Sequence, residues 1–168
     1  MIYVMFVCLG NICRSPMAEL IFANMAEEEG LAMNFCITSY GISNEEEGNP
    51  IYPPALKTLN DHGLDGVHRA RQLSLTEIIN NDYIIVMDSN NLMDILRITG
   101  GRFGEKVFKL CDFTSNPRDI ADPWYTRDFE RTYADIEDGC RGFLEYIKKQ
   151  RMGNGGYQTN SKDKFFPL

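Results

Sequence analysis

The sequence is poor in the residues that build metal sites and in the spacings that would use them. It has two histidines, His62 and His68, and five cysteines, Cys8, Cys13, Cys36, Cys111 and Cys140, none in Cys-x2-Cys spacing. The histidines lie far from any cysteine pair, so no zinc pattern is present, and an odd, scattered set of thiols excludes a disulfide framework. Reduced thiols fit the cytoplasm, which is the expected compartment. Positive charge is also scarce. With 17 Lys and Arg against 24 Asp and Glu, the net charge is −7, which argues against nucleic acid or an anionic membrane as partner. No apolar run is long enough to span a bilayer. The first one, residues 2–7, lacks a basic segment before it and is too short for a signal peptide. No internal repeat stands out, and 168 residues with 43% hydrophobic content suit one domain with a sizeable core.

What is present centres on residues 8–16, CLGNICRSP. The six apolar residues 2–7 predict a fully buried strand. Ser15 then suits an N-cap and Pro16 the first helical position. Ala18, Ile21, Phe22 and Met25 follow on one helical face. The stretch is therefore a strand–loop–helix turn at the carboxyl end of a strand, where open α/β sheets bind ligands. A short loop feeding a helix N-terminus turns backbone N–H groups inward and makes an anion nest. Gly10 allows backbone angles that other residues resist, and Asn11 tolerates positive φ. Arg14 adds a planar fork that matches two phosphate oxygens. A cysteine at the base of such a nest is favoured as the thiolate. Cys8 then reads as a nucleophile for phosphoryl transfer through a covalent thiophosphate. The plain alternative is a cysteine that ends a core strand, since Cys-x5-Arg alone is a weak pattern. The surrounding Gly, Asn, Ser-Pro, strand and helix set this instance apart. A nucleotide-binding loop is not indicated, because its Lys-Ser/Thr pair is missing.

Further along, residues 35–39, 83–87 and 106–110 read as strands. Residues 54–62 and 90–98 read as helices, the second ended by Gly100 and Gly101. Ser74-Leu75-Thr76-Glu77 has capping-box spacing, so a short helix starts there. Phe129, Tyr133, Ile136, Cys140, Phe143 or Leu144, and Ile147 predict a long amphipathic helix with Asp128 as its N-cap. Residues 112–128 form a long loop containing Pro117 and Pro123. The alternation of strands and helices predicts an α/β fold with a parallel sheet and right-handed crossovers. Residues 151–168 lack periodicity and read as a flexible C-terminal tail.

Residues 7–18, VCLGNICRSPMA, resemble the signature of the low-molecular-weight protein tyrosine phosphatases. The similarity extends from about residue 2 to about residue 150, through His68-Arg69-Ala70-Arg71-Gln72, Asp82-Tyr83-Ile84 with Met87-Asp88, and Asp122-Pro123-Trp124-Tyr125. The resemblance implies one domain over residues 1–150, a four-stranded parallel sheet in order 2-1-3-4 with helices on both faces, and a phosphate-binding loop after strand 1. It implies a metal-independent protein-tyrosine phosphatase that uses no cofactor. Cys8 would be the nucleophile, Arg14 the phosphate clamp and Asp122 the general acid and base. Leu9, Gly10, Asn11, Ile12, Cys13 and Ser15 would complete the loop, with Ser15 donating to the Cys8 thiolate and His68 bracing Asn11. Trp124, Tyr125, Glu45 and Glu46 would line the substrate pocket. Cys13 would act as a redox guard that traps oxidised Cys8 reversibly; a small core residue is the other reading. Taken alone, Asp122-Pro123 would be only a turn. Many members of that family carry Gly soon after the aromatic pair, whereas Thr126 and Arg127 stand here. Arg71 and Asp88 also match family positions, and structural roles suit them as readily.

The expected partner is a phosphotyrosine protein, met by a monomer or a weak dimer. Ile12 stands where an arginine-phosphatase branch typically has Thr, which leans toward tyrosine. Glu45, Glu46 and Glu47 would disfavour acid-flanked peptides, unless they are simply a solvated loop. Two other functions use the same anion loop. Arsenate reduction needs further thiols on a mobile segment, and none lies between Cys36 and Cys111. A phosphotyrosine-binding module without turnover would not need Cys8, Arg14 and Asp122 together.

Overall fold

The computed structural model describes residues 1–152. Its central strand is β1 (Ile2–Cys8), which runs parallel to β2 (Phe35–Gly41) on one side and to β3 (Tyr83–Val86) on the other. The last strand, β4 (Val107–Lys109), pairs with β3, so the order is β2-β1-β3-β4, as the resemblance implies. The apolar run of β1 has no polar alternation because both of its faces are covered. Val4, Phe6 and Cys8 join one core with residues of α1 (Arg14–Glu28), α2 (Pro53–Asp61) and α6 (Phe129–Met152). Met5 and Val7 join a second with Ile78 of α3 (Leu75–Asn80) and Ile95 of α4 (Ser89–Thr99). In the first core Phe6, Phe22 and Phe143 meet with ring centroids 5.2–6.3 Å apart, within the range where aromatic pairs attract beyond their buried area. These two layers fix the carboxyl ends of β1 and β3 side by side, which is where the site forms.

Several boundaries differ from the sequence reading, each for a local reason. The first long helix begins at Arg14 with Cys13 in the N-cap position, so Ser15 is not the cap; its hydroxyl is used elsewhere, as described below. The third long helix begins at Ser89 because Asp88 caps it, accepting the Asn91 N–H at 2.8 Å. The Ser74–Glu77 capping box is present. Asp128 accepts the Arg131 N–H at 3.0 Å at the start of α6. The loop expected over residues 112–128 is not structureless. It opens within a 3₁₀ turn, Leu110–Phe113, and later contains the short helix α5 (Pro123–Thr126). That turn lies tight against α6: a Cβ on Gly142 would stand 2.2 Å from the Phe113 carbonyl oxygen. Only glycine allows this approach, which anchors the chain at the root of the loop carrying Asp122. The last helix takes in residues 151 and 152, and the tail expected beyond them lies outside the described residues. Among the described residues no helix is long and apolar enough to cross a membrane.

Candidate active site

The loop between β1 and α1 closes around the Cys8 sulfur. Its Sγ accepts the Asn11 N–H at 3.3 Å and the Ser15 N–H at 3.4 Å, and the Ser15 hydroxyl lies 3.0 Å away. The sulfur thus occupies the position of an anion at a helix N-terminus, where backbone donors and the helix dipole favour negative charge. The residue with left-handed backbone is Asn11, φ 59°, and not Gly10. Asn11 holds this conformation because its side chain is bonded on every side. Its Nδ2 donates to Ser15 Oγ at 2.8 Å and to Ser39 Oγ at 3.1 Å, while its Oδ1 accepts the Arg71 N–H at 3.0 Å.

These bonds set the direction of every proton in the network. Asn11 gives both amide hydrogens away, so Ser15 and Ser39 accept from it and must donate onward. Ser15 donates to Cys8 Sγ, and Ser39 donates to Glu19 Oε1 at 2.6 Å. The loop is braced from outside as well. His68 Nε2 lies 2.6 Å from the Asn11 carbonyl, and because a carbonyl only accepts, that nitrogen carries the proton. Tyr52 N–H donates to the Ile12 carbonyl at 2.9 Å. At the end of β2, a Cβ on Gly41 would lie 3.1 Å from Asn11 Cβ and from the Leu9 and Ser43 carbonyl oxygens, so glycine lets the strand pass close behind the loop.

Arg14 is 3% exposed and reaches across three elements. Its Nη1 donates to Asp88 Oδ2 at 2.6 Å and to the Ile120 carbonyl at 2.8 Å, and its Nη2 lies 3.5 Å from Asp122 Oδ2. Burial works against the guanidinium's charge. The Cys8 thiolate, the Asp88 hydrogen bond and the Asp122 and Asp88 charges outweigh it and hold the group above its ordinary value. Asp122 sits at the N-cap of α5, its Oδ1 accepting the Trp124 N–H at 3.0 Å. At the other end of that helix Arg127 takes φ 60°, the conformation a glycine adopts without strain. The Tyr52 hydroxyl accepts from both of its Nη atoms at 3.2 Å.

Cys8, Leu9, Gly10, Ile12, Cys13, Arg14, Ser43, Glu45, Glu46, Asp122, Trp124 and Tyr125 line one cleft of about 180 Å³. Asn11, Ser15 and His68 stand behind it as supports. Trp124 packs on Tyr52 with ring centroids 5.0 Å apart, which fixes one wall. Glu47 is directed elsewhere and accepts the Gln72 N–H at 2.9 Å. Burial, then the Cys8 and Asp122 charges, push the Cys13 thiol up to about 12 against the opposing pull of Arg14 and Arg127. Asp88, Ser39, Glu19 and Tyr52 join the site without having been singled out for it. For Asp88 the signal was its match to a family position just after the apolar run of residues 83–87. The other three carry no local mark.

The arrangement can hold a tetrahedral oxyanion against the Cys8 sulfur, with the Asp122 carboxylate in the same cleft. A family model described as low molecular weight phosphotyrosine protein phosphatase matches residues 3–152. The low molecular weight protein-tyrosine-phosphatase YfkJ of Bacillus subtilis is 39% identical over 156 residues, covering 90% of this chain and 99% of that protein. The crystal structure of YfkJ aligns with a TM-score of 0.86 at 38% identity, over 89% of this chain and 96% of that one. An arginine phosphatase from Drosophila aligns with a TM-score of 0.81 at 28% identity, over 86% of this chain and 97% of that one. The chain belongs to the low molecular weight phosphotyrosine protein phosphatase family.

Proposed function

We propose that the protein hydrolyses phosphotyrosine in protein substrates through a cysteinyl-phosphate. The observation that supports this most is the Cys8 sulfur accepting from the Asn11 and Ser15 N–H groups and the Ser15 hydroxyl, in one cleft with Arg14 and Asp122. Cys8 Sγ attacks phosphorus, and the bond to the tyrosyl oxygen breaks as Asp122 gives that oxygen a proton. The loop N–H groups and the Arg14 fork hold the charge on the transferring oxygens. Asp122, now a base, takes a proton from water, which attacks the thiophosphate and releases phosphate. An apolar wall of Leu9, Ile12, Trp124 and Tyr125 suits a flat aryl group. The five scattered thiols favour the reducing cytoplasm. Cys111 and Cys140 are fully enclosed, which speaks against a thiol relay for arsenate reduction.

The test is turnover of matched phosphotyrosine and phosphoarginine peptides without added metal, each with acidic, neutral or basic flanks. Phosphotyrosine should be the better substrate by a wide margin. Preferential phosphoarginine turnover would transfer the protein to the activity named for its Drosophila relative. Because Glu45 and Glu46 line the cleft, basic flanks should raise kcat/KM over acidic flanks by about three- to tenfold, the size of one or two exposed charge pairs. Added salt should shrink that ratio. Equal rates for the two sets at low salt would leave the glutamates as a solvated rim.

Cys13 serves this reading as a guard. Peroxide converts the Cys8 thiolate to a sulfenic acid; Cys13 then attacks that sulfur, forming a disulfide and releasing water. With its thiol pushed up to about 12, Cys13 is protonated near neutral pH, so it does not compete with Cys8 as a nucleophile. Oxidation of Cys8 removes its charge, the second-largest cause of that rise, and so favours the Cys13 thiolate when it is needed. Peroxide-treated enzyme should recover with dithiothreitol, and the recoverable fraction should rise with pH. Cys13→Ser should lose most of this recovery; recovery equal to wild type would remove the guard role.

A further inference from the structure

The segment carrying Asp122 is held over the cleft by a latch outside it. Ile120 is fully buried and bonded in both directions: its N–H donates to the Met87 carbonyl at 2.9 Å, and its carbonyl accepts from Arg14. One residue earlier, Asp119 Oδ1 accepts from Lys109 Nζ at 3.0 Å and from the Ser89 hydroxyl at 3.1 Å. Lys109 ends β4 and also reaches Ser89 at 3.2 Å, while Ser89 opens α4. The three side chains therefore tie the acid segment to two elements of the rigid sheet layer. Behind that segment there is room. A cleft of about 290 Å³ lies between Asp119, Ala121 and Thr126 on one side and Asp128, Arg131, Thr132 and Asp135 on the other. The Asp119 bonds act beside the Arg14 contacts to Ile120 and Asp122 and the packing of Trp124 on Tyr52 in setting the distance of Asp122 from the nest.

We infer that Asp119, gripped by Lys109 and Ser89, is a positioning residue that sets the reach of Asp122 to the leaving oxygen. This rests on the reading of Asp122 as the general acid. A carboxylic acid matters most when the departing oxygen is a poor leaving group, and a displacement of the acid by an ångström is enough to lower the rate strongly. Loss of the latch should therefore fall on poor leaving groups and spare good ones. It should not disturb the nest, since neither Lys109, Ser89 nor Asp119 touches Cys8 or the loop around it.

The experiment measures kcat/KM for p-nitrophenyl phosphate and phenyl phosphate, with vanadate inhibition, in wild type, Asp119→Ala, Lys109→Met, Lys109→Arg and Asp122→Ala. Asp119→Ala and Lys109→Met should lose about tenfold or more on phenyl phosphate, less than about threefold on p-nitrophenyl phosphate, and keep vanadate affinity. Lys109→Arg should restore much of the phenyl phosphate rate. The inference is overturned if both latch variants keep the wild-type ratio of the two substrates, or lose both equally. Should Asp119→Ala not fold, Lys109→Met carries the same decision. Asp122→Ala separates the two levels. If it steepens the leaving-group dependence and the latch variants do not, only the latch falls. If it too leaves the ratio unchanged, the general-acid reading falls and the latch with it.

Discussion

Cys8→Ser is expected to abolish turnover while leaving anion binding in place. A serine hydroxyl does not ionise near neutral pH, and its shorter bond to carbon draws the oxygen back from the point where phosphorus must arrive. The nest itself should survive, because the Asn11 and Ser15 N–H groups are set by the backbone and by the Asn11 side chain, which bonds Ser15, Ser39 and Arg71. Loss of a covalent nucleophile in a preorganised site costs on the order of 10⁴-fold or more in kcat. Phosphatase assays on p-nitrophenyl phosphate, with phosphate or vanadate binding followed on the same variant, check both halves. Activity above about 1% of wild type would exclude Cys8 as the nucleophile. Loss of activity together with loss of anion binding would mean instead that the sulfur holds the loop together.

Arg14→Lys is the second large effect. The charge is kept, and only the fork is removed. In the structure Arg14 grips Asp88 and the Ile120 carbonyl with one nitrogen and turns the other toward Asp122. It can therefore meet two oxygens of a phosphate while remaining anchored, which a single ammonium cannot do. A loss of about 10²- to 10³-fold in kcat/KM follows for a donor aimed at transition-state charge. Inorganic phosphate should inhibit the variant more weakly, and thermal unfolding should move far less than activity, since Asp88 keeps a cationic neighbour. A fall below about tenfold would make Arg14 mainly the partner of Asp88 rather than the clamp of the substrate.

How much of this was legible in the chain depended on how local each feature is. The nest was legible because residues 8–15 are contiguous, and a strand, a short loop and a helix N-terminus produce it by themselves. The capping box at Ser74 and the long final helix were legible for the same reason: their patterns repeat within a few residues. One local guess was displaced by the site: Ser15 suits an N-cap, but its hydroxyl is drawn to the Cys8 sulfur. The positive φ that Asn11 tolerates is the one it adopts, held by three bonds to its side chain.

The remainder came only with the tertiary structure. Arg14 and Asp88 are 74 positions apart in sequence, and Arg14 and Ile120 are 106. They meet because β1 and β3 are neighbours in the sheet and end at the same level, with Val7 opposite Val86. Ser39 reaches Asn11 because β2 lies on the other side of β1, with Cys8 opposite Gly41. Asp119 becomes a latch only once β4 and α4 stand beside its loop. By itself the sequence determined the turn that seats Cys8, the anion nest and the alternation of strands and helices, which follow from backbone geometry over a few consecutive residues. Which carboxylates face the arginine, and what holds the acid above the nest, were decided by strand order and register, because charges and hydrogen bonds act across space between residues the chain keeps far apart.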